Sequence, residues 1–216
     1  MCLSLIASFR SQMDEPEGQA IVDFGGGVGM YWPAVKAQNK AGFEDTFMVV
    51  DNPENCNAGK RIFNGDPIEF HSDFEDATKG RNDIKVLNVA STLQYCLDYE
   101  HTINMLCESN AMFIVVTRHP APDAGLPIAY AIQNVVSING YCGQIPVVLI
   151  GVESLVRLMN ERGYMLIADY FNDTDPDKYW KYAKKPVPAE YSRIIDHAIV
   201  FQRTAPLRGG LISNLP

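Results

Sequence analysis

None of the five cysteines, Cys2, Cys56, Cys96, Cys107 and Cys142, stands in a C-x-x-C or other metal-type spacing, and their number is odd. That excludes a fully paired disulfide framework and points to thiols in a reducing compartment. An excess of positive charge is also missing: 18 Lys and Arg stand against 26 Asp and Glu, a formal net charge of −8. Without a basic footprint, no nucleic-acid partner is expected. No apolar run approaches the roughly 20 residues that span a bilayer. The opening MCLSLIASFR is apolar but carries no basic n-region and precedes no cleavage-site pattern. The expectation is therefore no transmembrane segment and a cytoplasmic location. Repeats and low-complexity tracts are absent, and 47% hydrophobic with 20% charged residues over 216 positions suits one globular domain. Its expected bounds are 19–203, with an N-terminal segment 1–18 and a tail 204–216.

What is present is an alternation. AIVDF (20–24), FMVVD (47–51), PIEFH (67–71), KVLNVA (85–90) and MFIVV (112–116) are short β-rich runs bounded by turn or charged residues. MYWPAVKAQNKAG (30–42) predicts a helix, with Pro33 tolerated in its first turn and Gly42 near its end. LQYCLDYEHTINMLCESN (93–110) predicts a longer one. Val152, Leu155, Val156 and Met159 follow the i, i+3, i+4, i+7 spacing of one buried helical face, which Gly163 ends. YMLIADY (164–170) and HAIVFQ (197–202) follow as two more strands. Strands that are nearly continuous in apolar residues and alternate with helices predict an α/β, doubly wound, seven-stranded and mostly parallel sheet. Helices cover both faces, and the last strand is antiparallel in the edge region. Two stretches fall outside the alternation: a Pro/Gly-punctuated insertion, 118–150, and a loop rich in Tyr, Trp, Lys and Pro, 171–192. Long connections of this kind are often lids or binding loops.

IVDFGGGVGM (21–30) sets four glycines in five positions, Gly25, Gly26, Gly27 and Gly29, directly after an acid-ended apolar run. Ordering glycine costs more chain entropy than ordering any other residue, so something must come close to this backbone. A dinucleotide, a phosphate, an adenosyl group and a tight turn are the candidates. In an open parallel sheet, ligands bind beyond the carboxyl ends of the strands, where strand order reverses. A nicotinamide fingerprint laid on Gly25 and Gly27 requires its third glycine at Met30, which weakens the reading of a nucleotide-linked oxidoreductase. The pattern that fits is acid-x-G-x-G-x-G: Asp23, Gly25, Gly27, Gly29.

In these residues the sequence resembles the class I S-adenosylmethionine-dependent methyltransferases, whose first motif is a hydrophobic strand, an acid and spaced glycines. The resemblance implies a Rossmann-like fold and S-adenosyl-L-methionine as cofactor, its methionine end held by Asp23 and by the backbone of Gly25, Gly26, Gly27 and Gly29. The chemistry is compatible, since an acid meets an ammonium group and helix-terminal N–H groups meet a carboxylate. It also implies Asp51 on the ribose hydroxyls, with Asn52-Pro53 turning the chain away. A carboxylate offers two oxygens to a vicinal diol. Asp73 with Phe74, or else Asp76, would lie near the adenine amino group, and Ser91 would line the cofactor. Asp73 can equally cap the helix after it, and Ser91, Gln94 and Tyr95 can form the start of the next helix. VVDNP (49–53), STLQY (91–95), RHP (118–120) and AIQNV (131–135) are similar to a narrower bacterial group of methyltransferase-like proteins associated with surface-polysaccharide or glycan loci. Only about eighteen residues precede the first strand, fewer than such relatives carry, so either the chain is short there or a partner subunit, as in a homo-oligomer, supplies the cover.

For the chemistry itself, Tyr95, Arg118 and His119 are the catalytic candidates. His119 follows the fifth strand, where an acceptor would lie, and a histidine there can take a proton from a hydroxyl near neutral pH. Arg118 can hold a carboxylate or phosphate with its planar fork. The other histidines, His71, His101 and His197, are scattered, and His101 and His197 read as structural. The acidic run DTDPD (173–177) has Lys178 where a calcium loop needs glycine, so no metal is expected. KYWKYAKK (178–185) can stack on a sugar or base, or pack its rings on the core. The resulting expectation is O-methylation of a small-molecule or glycan acceptor. An adenosyl-binding subunit or regulator without catalysis is the alternative.

Overall fold

The computed structural model describes residues 19–38, 46–122, 128–136, 142–172 and 194–204. A seven-stranded sheet organises them. Five of its strands are β1 (Ala20–Phe24), β2 (Thr46–Val50), β3 (Ile68–His71), β4 (Ile84–Ala90) and β5 (Phe113–Pro122). The other two are β8 (Tyr164–Asn172) and β9 (Ile194–Arg203), and the order across the sheet is β3-β2-β1-β4-β5-β9-β8. β1 to β5 run parallel, whereas β9 is antiparallel to both its neighbours and lies one place in from the edge formed by β8. The fold expected from the alternating runs is thus the observed one.

Both sheet faces are buried because successive side chains of a strand point to opposite sides. On one face Val22, Leu87, Ile114 and Phe201 pack with α3 (Phe74–Thr78), α4 (Tyr99–Glu108) and α5 (Val152–Asn160). On the other, Ile21, Val49, Val86 and Val115 pack with α1 (Trp32–Gln38) and α2 (Pro53–Ile62). α1 opens on Trp32-Pro33, and the Trp32 Nε1–H donates to Asp66 at 2.9 Å, pinning the first turn to the chain before β3. Asn52 caps α2 by accepting the Asn55 N–H at 2.9 Å, with Pro53 at the first helical position. α5 buries Leu155, Leu158 and Met159, the face its spacing predicts.

Three expectations need correction. The helix expected over 93–110 is broken: a 3₁₀ turn (Leu93–Tyr95) comes first, and α4 restarts at Tyr99 because Asp98 caps it, accepting the His101 N–H at 3.2 Å. The insertion 118–150 is not irregular throughout. β5 continues to Pro122, and β6 (Ala129–Val136) pairs antiparallel with β7 (Cys142–Leu149) as a separate two-stranded sheet. The helix expected from Met30 opens only at Trp32, after turns that run from Gly27. The acidic run 173–177 and the cluster 178–185 lie outside the described residues. Among the described residues no helix is long and apolar enough to cross a membrane, and no group of three or more His, Cys, Asp or Glu is placed to hold a metal.

Candidate functional site

The strand order reverses between β1 and β4, and the glycine segment leaves the carboxyl end of β1 at that switch point, where open α/β sheets take their ligands. Three of the four glycines answer to the protein's own packing. Gly25 has φ +71° and donates its N–H to the Val50 carbonyl at 2.8 Å, and a Cβ there would run into the Thr92 side chain. A Cβ on Gly26 would collide with the Asp23 carboxylate. Gly27 differs: a Cβ there meets nothing within 4 Å. Its bare backbone therefore borders open space. Gly29 packs over Ile68, Phe70 and Phe63, closing the segment against β3.

Two acids flank this opening. Asp23, at the end of β1, is 1% exposed. Its Oδ1 accepts from the Asn88 side-chain amide at 2.7 Å, and its Oδ2 has no hydrogen-bond partner. Burial pushes its pKa up to about 6. The Asn88 bond opposes that rise, the Asp51 charge adds to it, and the Arg118 charge again opposes it. Asp51 stands just past β2. Its Oδ2 accepts the Gly27 N–H at 2.8 Å. Its Oδ1 accepts the Asn52 N–H at 2.8 Å, the Asn52 amide at 2.9 Å and the Asn55 amide at 2.7 Å. A carboxylate has about four lone-pair sites, so Oδ1 is filled and Oδ2 keeps room for one more donor. The Asp51–Gly27 bond also fixes the open backbone against β2.

The remaining residues expected around the cofactor divide. Ser91 lies at the end of β4 with φ +55°, its N–H bonded to the Thr117 carbonyl at 2.9 Å, and it leads into Thr92 above Gly25. Asn52 caps α2 and binds Asp51, which makes it a support of the acid. Asp73 caps α3 through Oδ1, accepting the Asp76 N–H at 2.9 Å. Phe74 is buried in the core, edge-on to Phe24 at 5.4 Å, so an open face toward an adenine is not its setting.

On the far side, Tyr95 is 42% exposed and its hydroxyl donates to Gln133 of β6 at 3.0 Å, while Tyr130 donates to the Leu97 carbonyl at 3.4 Å. These bonds dock the β6–β7 hairpin beside the 3₁₀ turn, leaving Tyr95, Leu97, Tyr130 and Ile132 exposed. Arg118 is exposed with φ +51°. His119 was expected to meet an acceptor near neutral pH, which needs an accessible ring nitrogen. It is 1% exposed, its Nε2–H donates to the Ile150 carbonyl at 2.8 Å, and Nδ1 has no partner. Burial pulls its pKa down to about 4.

Sequence reasoning missed Asn88, Thr92 and Thr117. A lone asparagine inside KVLNVA was the available signal for the first, because an amide in a buried strand needs a polar partner. Thr117, 5% exposed, joins Asp23 Oδ2, Gln94 Oε1 and His119 Nδ1 as the buried side-chain atoms without a partner among the described residues. All four residues belong to β1, to β5 or to the turn after β4.

The site's residues suit an adenosyl amino acid: an unpaired buried carboxylate oxygen for an ammonium, an open glycine backbone, and a second carboxylate with one acceptor site left. No family model and no curated protein matches the chain. Solved structures do. One is an S-adenosylmethionine-dependent methyltransferase from Mesorhizobium loti, with TM-score 0.56, 11% identity, and 91% of this chain and 96% of that one covered. The N-terminal domain of EvdMO1, solved with S-adenosylhomocysteine and D-fucose, gives TM-score 0.62, 12% identity and coverage of 93% and 82%. The [4+2]-cyclase SpnF gives TM-score 0.64, 10% identity and coverage of 94% and 81%. The fold of this chain is that of the class I S-adenosylmethionine-dependent methyltransferases, a fold that also carries cyclases.

Proposed function

We propose that the protein is an S-adenosylmethionine-dependent methyltransferase acting on a hydroxyl of a small-molecule or glycan acceptor. One observation carries the reading: Asp23 Oδ2 is buried and unpaired at the switch point, beside a glycine backbone that borders open space. A buried carboxylate oxygen without a partner costs free energy unless a ligand completes it. When bound, S-adenosylmethionine supplies a methyl group already activated by a sulfonium. The chain's own residues then bind and orient. Asp23 takes the ammonium, Asp51 Oδ2 takes one ribose hydroxyl, and Thr92 over Gly25 closes the cofactor side from water. Tyr95 and the hairpin surface of Tyr130 and Ile132 form one wall for the acceptor. Alignment and exclusion of water are what such a transfer chiefly needs. His119 serves the fold, tying β5 to the end of β7 through Ile150. The proton of the acceptor hydroxyl then leaves to solvent.

A second reading is an adenosyl-binding protein that transfers no methyl group. It draws support from the burial of His119, the histidine expected to meet the acceptor, and from a cyclase on the same fold. The experiment is a methyl-label assay with radiolabelled S-adenosylmethionine against a panel of sugar and aryl hydroxyl acceptors. Labelled product that is lost in Asp23→Asn supports the enzyme. Cofactor binding without label in any acceptor supports the second reading.

A further inference from the structure

The β5–β9 ladder pairs Thr117 with Ala198 and His119 with His197, so Arg118 is an extra residue standing in a bulge. Its φ of +51° lies in the left-handed region, which disfavours a long side chain by about 1–2 kcal/mol. Bulges of this kind re-aim side chains, often beside active sites. Here the effect can be followed on both sides. Asp23 pairs with Asn88, Asn88 with Val115, and Thr117 is two residues beyond Val115. Asp23, Asn88, Val115 and Thr117 therefore share the sheet face of Ile21 and Val86, with Asp23 two strand spacings, about 10 Å, from β5. After the bulge His119 turns to the opposite face, toward Ile150.

Two unsatisfied groups lie on the sheet face of Ile21 and Val86. Thr117 Oγ1 and Asp23 Oδ2 are both buried and without a partner. Arg118, the next residue after Thr117, is exposed and has no hydrogen bond or ion pair with any described residue. Its guanidinium is nevertheless close enough to act on the Asp23 charge. An anion-seeking fork and a cation-seeking carboxylate on one rim match a zwitterion, whose two charged groups sit on a single carbon.

We infer that Arg118, assisted by the Thr117 hydroxyl, holds the α-carboxylate of the bound cofactor while Asp23 Oδ2 holds its ammonium. This rests on the reading that the site takes an adenosyl amino acid, and it adds the residue that reads the carboxyl group. The bulge is then the feature that brings a β5 side chain to the cofactor. Guanidinium and carboxylate form the paired bonds that make arginine selective for this group.

Calorimetry with two ligands tests it: S-adenosylhomocysteine, and 5′-methylthioadenosine, which lacks the amino-acid end. Arg118→Gly is the main variant, because glycine adopts φ +51° without strain and its melting temperature is expected to equal or exceed wild type. It should weaken S-adenosylhomocysteine about 10- to 100-fold and leave 5′-methylthioadenosine within about twofold. Thr117→Val, which keeps the shape and removes the hydroxyl, should lose about 3- to 10-fold for the first ligand only. An Arg118→Gly protein that binds S-adenosylhomocysteine as wild type does overturns the inference and leaves the site reading intact. Equal losses for both ligands also overturn it, since the carboxylate would not be what is read. A wild-type protein that binds neither ligand removes the site reading itself.

Discussion

Asp23 concentrates the tension of the site at the scale of one residue. Its carboxyl group has a folded pKa of about 6 against an ordinary 3.8, so between those values the native state binds a proton that the unfolded chain has released. This group therefore stabilises the ligand-free protein as pH falls from 6 toward 4, and above pH 6 the fold carries a buried charge. At 1.36 kcal/mol per unit, the cost above pH 6 is about 3 kcal/mol. Asp23→Asn is expected to raise the melting temperature at pH 8, to lose that advantage by pH 4, and to abolish S-adenosylhomocysteine binding throughout. Thermal melts across pH with parallel calorimetry check all three. His119 acts in the opposite sense: held at about 4 against an ordinary 6.5, it costs stability as pH falls from 6.5 to 4. For Asp51, replacement by alanine removes one ligand partner and frees Gly27, and calorimetry should show S-adenosylhomocysteine weakened by about 1–3 kcal/mol. Unchanged affinity would take Asp51 out of the site.

Among the elements, the hairpin and the broken helix are what local pattern did not reveal. AYAIQ and GQIPVVL carry strand character, and Asn139-Gly140 between them is a strong hairpin dipeptide, but the prolines and glycines around them read as irregular chain. The break before α4 turns on Asp98, a cap inside an otherwise helical stretch. The bulge at Arg118 leaves no mark in sequence at all, because it depends on how β9 pairs. That is why His119 was expected beside an acceptor and is found in the core. Tyr95→Phe, which removes the bond to Gln133, should loosen the hairpin by about 0.5–1.5 kcal/mol. Faster amide exchange in β6 and β7, with β1 to β5 unaffected, is the expected signature. Leu155→Ala in the fully buried face of α5 should cost about 2–5 kcal/mol in urea unfolding.

The whole molecule was the most legible level. The inner parallel strands appear as nearly continuous apolar runs because both faces of a covered sheet are dry, whereas edge strand β3, IEFH, is largely uncovered, and the glycine cluster marks where the chain turns at the switch point. Asp23 and Asp51 were readable because each ends a strand. Asn88 and Thr117 were not, because only the folded sheet brings Asn88 beside Asp23 and Thr117 onto the same face. The account holds that this crevice is built for an adenosyl amino acid, and a crystal structure with S-adenosylhomocysteine tests it most directly. The predicted result is ligand over Gly27, its ammonium on Asp23 Oδ2 and a ribose hydroxyl on Asp51 Oδ2. A crevice filled by the protein's own side chains, with ligand absent or bound elsewhere, would contradict it.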